Sequence, residues 1–147
     1  MLKKMYDLQK KKGKKGFSMI ELIIVLAIMA ILVALIGTQL IPYLDKSREK
    51  RDMTTMDTCL TAFESCLADN EKVLSADTQL SAAISAGDVT QADFESYAGI
   101  AVDDATVFKS KKAKGYKPED ITFVINSDGV ITGAKVGASG SELEIKR

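Results

Sequence analysis

Lys14-Lys15-Gly16-Phe17-Ser18-Met19-Ile20-Glu21 leads into Leu22–Ile36, fifteen residues without one polar side chain. A basic cluster meets a glycine, and an apolar run follows that carries one carboxylate near its start. Widened to Phe17–Ile41, the run is interrupted only by Ser18, Glu21, Gly37, Thr38 and Gln39. At about 1.5 Å per residue, a helix of that length reaches roughly 37 Å, enough to cross a bilayer core of about 30 Å. Residues 17–41 are therefore expected to form a transmembrane helix, with everything downstream as its cargo.

The charge balance supports an orientation. Residues 1–16 hold seven Lys and one Asp, a net of +6; the remainder holds 13 basic and 19 acidic residues, a net of −6, which gives the overall zero. The basic leader is expected to stay in the cytoplasm by the positive-inside rule. Asp45 to Asp52, beyond the helix, is nearly neutral, with four basic and three acidic residues. The N-terminus thus points in and the C-terminus out. The chain has no His and no Trp, which excludes a Ser-His-Asp triad and imidazole metal chemistry.

Three readings of the apolar helix stand at this point. A secretory signal cut on its C-terminal side fits poorly, because the run is long and no small-x-small pattern follows. A plain single-pass anchor leaves Glu21 unexplained, since a carboxylate at mid-bilayer costs on the order of 2.5–3.5 kcal/mol. A position close enough to the headgroups to stay hydrated would lower that cost. The third reading is an anchor whose leader is removed on the N-terminal side.

Lys15-Gly16-Phe17-Ser18-Met19-Ile20-Glu21-Leu22 closely resembles the class III signal of type IV prepilins: a basic leader ending in Gly, then Phe, a small polar residue, two apolar residues and Glu. The resemblance covers about residues 10–41. It implies a pilin fold and cleavage between Gly16 and Phe17 by a membrane prepilin peptidase. It also implies N-methylation of Phe17 and a role for Glu21 in pairing with the new N-terminal ammonium of a neighbouring subunit. Its implied partners are identical or related subunits in a homopolymer, the membrane before assembly, and the machine's membrane platform and cytoplasmic ATPase. Many family members carry a helix-breaking Gly and Pro inside the apolar segment. Here Ala30 and Thr38 occupy those places, and Gly37 and Pro42 are the nearby breakers. Pro42 lacks a backbone donor and is expected to kink or loosen the helix around Thr38.

Downstream the pattern stays helical but becomes amphipathic. Met53, Met56, Leu60, Phe63 and Leu67 recur at +3, +4, +3, +4, with Cys59 and Cys66 beside them. One helix is expected from about Ser18 to Asp69, its second half (residues 42–72) packing on a small domain. Seven residues apart on one helix, the two Cys lie roughly 10 Å apart, beyond disulfide reach, and read as small apolar core residues.

Residues 73–105 read as a connecting region. A short helix is expected from near Ser75 to Ser85, closed by Gly87, and a second from the Thr90 cap to Gly99. Residues 106–147 read as an antiparallel sheet of three or four strands. Its expected strands are Thr106–Ser110, Ile121–Asn126, Val130–Val136 and Glu142–Lys146, with a Ser127-Asp128-Gly129 turn between the second and third. The expected class is α+β, with the amphipathic half-helix across the sheet. No catalytic, metal or cofactor set emerges. Paired acids such as Asp103-Asp104 and Glu119-Asp120 read as solvated loop residues, and Asp128 as a turn former. The Lys109–Lys117 cluster reads as a solvated loop, with a patch for an acidic partner, DNA or a cell surface as the other reading.

The implied function is structural, in a surface filament for adhesion, motility or DNA uptake. The alternative is a pseudopilin of a type II secretion or competence system, although Gly137–Gly140 lacks the Asp expected of a major secretion pseudopilin's calcium loop. A solitary membrane-anchored binding or enzymatic domain is the rival outside the family.

Overall fold

The computed structural model describes residues 16–147, so the leader through Lys15 lies outside the described residues. The chain divides into two compact units at Ile41/Pro42. One helix, α1 (Met19–Asp69), belongs to both and is continuous through Pro42. The loosening expected around Thr38 does not interrupt it.

In the first unit every described residue is exposed. Its apolar side chains cover the whole circumference of α1, as on a lipid-facing helix. The most apolar stretch of α1 has a mean hydropathy of 3.1, and none of it is buried. By length and composition it can cross a membrane.

The second unit is built on the other half of α1. Asp52, Met56, Cys59, Leu60, Ala62, Phe63, Cys66 and Leu67 are buried, the three-and-four spacing of one helix face. Met53, the first residue of the expected seam, is only partly buried. Beyond α1 come β1 (Thr78–Gln79), α2 (Leu80–Ala86), α3 (Gln91–Ala98) and a 3₁₀ turn (Pro118–Asp120). The chain then forms β2 (Thr122–Ile125), β3 (Ile131–Val136) and β4 (Leu143–Lys146). The sheet is antiparallel in the order β1-β2-β3-β4. Phe63 of α1 stacks on Phe123 of β2 with ring centroids 3.9 Å apart. Ile121, Ala134, Val136 and Leu143 fill the same core. At Gly133 a Cβ would lie 2.3 Å from the Ile145 carbonyl oxygen, so β3 and β4 approach there as only glycine permits.

The α+β class is as expected, but the sheet differs in membership. Thr106–Ser110 is not a strand. The N–H groups of Lys109 and Ser110 donate to the Asp52 carboxylate instead of to a ladder. The fourth strand is β1, from the connecting region, so the sheet is not confined to 106–147. Its presence also delays the first short helix from Ser75 to Leu80. Asp77, just before β1, accepts from Ile125 N at 3.0 Å, where the β2–β3 register shifts. The hairpin turn is organised by Asn126, whose Oδ1 accepts from Asp128 N and Val130 N, with Gly129 at φ 77°.

α3 begins as expected: the Thr90 side chain accepts from Asp93 N, and Gly99 closes the helix in the left-handed region. Thr90→Ala is expected to cost about 1 kcal/mol, read as a lowered thermal midpoint, the ordinary cost of a lost N-cap.

Cys59 and Cys66 are free and buried on the unbroken helix. Burial pushes the Cys59 thiol from an ordinary 9.0 up to about 12. Burial, with Asp93 and Asp69 nearby, pushes Cys66 up to about 11. Both are therefore neutral thiols in the folded head at pH 8, and a disulfide reagent is expected to react with them only after denaturation. The folded pKa values lie above the unfolded ones. The stability they contribute is thus complete below about pH 9 and is lost as pH rises toward 11–12. A head whose thermal midpoint is unchanged between pH 8 and pH 11 would contradict this.

Candidate functional site

The first site stands at the start of α1. Gly16, Phe17 and Ser18 precede the helix as non-helical residues. Phe17 is 86% exposed, and a Cβ at Gly16 would meet nothing within 4 Å among the described residues. Among the described residues, Gly16 and Phe17 thus stand in exposed, non-helical chain just ahead of α1.

Glu21 lies in the first turn of α1. Ser18 N donates to Glu21 Oε2 at 2.8 Å, and Glu21 N donates to Ser18 Oγ at 3.3 Å. This is a reciprocal capping box, which satisfies two of the orphan donors at a helix start. The carboxylate in the apolar segment therefore already has a partner within its own chain. Both bonding residues lie after Gly16–Phe17, so the box survives a cut at that bond. Its signature, Ser-x-x-Glu, is visible in the sequence as Ser18-Met19-Ile20-Glu21.

Gly37 lies within α1 with open space around it, and the neighbouring Thr38 Oγ1 donates to Leu35 O at 2.9 Å. In the second unit, Pro42 is exposed inside α1. The helix thus carries one residue of low helix propensity and one without a donor, yet it does not end at either.

A second cluster joins α1 to the lysine loop. Asp45, Glu49 and Asp52 form an acidic stripe at i, i+4 and i+7. Lys111 Nζ lies 2.6 Å from Asp45, and Lys112 Nζ 2.5 Å from Glu49. Asp52 is fully buried and accepts from Lys109 N at 2.9 Å and Ser110 N at 2.7 Å. The lysine loop is therefore partly a strap fastened to α1, not a freely solvated segment. Arg147 makes a second tie, with its guanidinium 2.9 Å from Glu64, 3.1 Å from Asp57 and 2.9 Å from Thr61 Oγ1. Among the described residues no group of His, Cys, Asp and Glu is arranged to hold a metal ion.

Residues 11–37 match the family model described as the prokaryotic N-terminal methylation motif. This is the class III prepilin signal of type IV pilins and pseudopilins. No curated protein and no solved structure matches the chain. The motif and the apolar helix together support a membrane-anchored precursor of the pilin or pseudopilin type. The long helix packed on a four-stranded antiparallel sheet is consistent with the pilin fold.

Proposed function

We propose that this chain is a structural filament subunit, made as a single-pass precursor and polymerised through the apolar half of α1. The supporting observation is the methylation motif placed on a helix whose apolar surface is exposed all round. A prepilin peptidase cuts between Gly16 and Phe17, and Phe17 is N-methylated. Removing the leader takes away the +6 charge that holds the N-terminus at the cytoplasmic surface. The new ammonium at Phe17 stays charged after methylation and pairs with Glu21 of a neighbouring subunit. Apolar helices leave lipid and pack on one another, so burial of apolar surface is kept through extraction. The work of extraction then comes from a cytoplasmic ATPase acting through the membrane platform. The heads face outward, and the role is structural, not enzymatic.

A surface filament is favoured over a secretion pseudopilus because Gly137–Gly140 offers no carboxylate. Electron microscopy of fibres sheared from the cell surface, with peptide identification, tests this. The expected result is fibres containing peptides of the head. Fibres lacking them, with the chain confined to the envelope, would favour the pseudopilus.

A further inference from the structure

Charge in the second unit is sharply segregated. Residues 42–51 and 106–117 together hold nine basic residues and two acidic ones, a net of +7. The rest of the unit holds four basic and 16 acidic residues, a net of −12. The ion pairs of Lys111 with Asp45 and Lys112 with Glu49 bring the two basic stretches side by side and use up both acids. A groove of about 580 Å³ opens there, lined by Arg48, Lys109, Lys111 and Lys114 with Thr106 and Phe108. Lys109 and Lys114 are exposed and, among the described residues, enter no salt bridge.

The place of this patch identifies its partner. Pro42 directly follows the apolar run, and Lys46 to Arg51 lie four to nine residues further along α1, roughly 6–14 Å at 1.5 Å per residue. A headgroup layer adds roughly 5–8 Å to each side of the hydrocarbon core. Tyr43, 70% exposed, sits at the start of this stretch with Lys46, Ser47 and Lys50 around it. Tyrosine favours that interface, where its ring is half in lipid and its hydroxyl in water. We propose that Arg48, Lys109, Lys111 and Lys114 form a docking surface for the phosphates of anionic lipid headgroups on the non-cytoplasmic leaflet. This rests on the membrane-anchored reading above. The patch holds the head against the bilayer before assembly through the attraction between these cations and the lipid phosphates.

The test uses the full chain in nanodiscs of phosphatidylcholine alone or with phosphatidylglycerol, read by hydrogen exchange over residues 105–114. Phosphatidylglycerol is expected to slow exchange roughly fivefold, the order of effect that one lysine near an anionic surface supplies. High salt, or Lys109→Glu with Lys114→Glu, is expected to abolish the difference, and unreactive Cys59 and Cys66 verify that the variant is folded. Should the variant not fold, the wild-type comparison at low and high salt decides. Equal exchange in both lipids would overturn the inference and leave the anchor intact. Failure of the chain to enter nanodiscs would overturn the anchor and the inference together. Protection that ignores lipid and grows with the number of chains per disc would make a second copy the occupant and overturn the lipid assignment.

Discussion

Asp52→Ala is expected to lower the stability of the head by about 3 kcal/mol. The side chain is fully buried and accepts from two backbone N–H groups that donate to no other group among the described residues. Hydrogen bonds to a charged group contribute roughly 1.5–3 kcal/mol each, and a buried donor left without an acceptor costs about 1–3 kcal/mol. For a unit of this size that is a fall of roughly 15 °C in the thermal midpoint. The readout is the temperature at which Cys59 and Cys66 become reactive in the detergent-solubilised full chain. Asp57→Ala is the control. Asp57 lies on the same helix but is exposed, and its pair with Arg147 is of the surface kind, worth about 0–1 kcal/mol. Equal effects from the two substitutions would refute the strap as the device that fastens the lysine loop to α1.

Glu21→Ala is expected to abolish filament assembly while leaving processing intact. The carboxylate has two jobs in the proposed account. Within the chain it caps α1 through Ser18 N, a contribution of about 1 kcal/mol. Between chains it meets the Phe17 ammonium, and breaking such a buried pair costs about 3–5 kcal/mol. The two are separable, because Ser18→Ala removes only one of the cap's bonds and no charge. Ser18→Ala is therefore expected to keep most filament yield, measured by quantifying sheared fibres, whereas Glu21→Ala loses it. Similar losses from both substitutions would mean that capping, not intersubunit pairing, is what assembly requires.

The parts of this molecule legible in the sequence are those set by local pattern. Leu22–Ile36 reads as part of a membrane-length apolar helix because no polar residue interrupts it. The Met56–Leu67 face follows from spacing, and the Thr90 and Gly99 ends of α3 follow from capping chemistry. The parts that escape are set across long separations. Val107 and Phe108 are good strand formers, but their segment is claimed by Asp52, 57 positions away. Asp52 itself lies in a charged stretch with no apolar face, so nothing local marks it for burial. β1 is two residues long and cannot display a period of two. In the candidate site, Gly16, Phe17 and Glu21 stand out as a motif. The Asp45–Glu49–Asp52 stripe gains meaning only beside the lysines it binds.

The central claim is that the chain is cut at Gly16 and capped by a methylated Phe17. Intact mass measurement of the protein recovered from its native membrane or fibres tests it most directly. The account predicts a chain beginning at Phe17 and carrying one added methyl group. A chain still beginning at or near Met1, with an unmodified terminus, would contradict it.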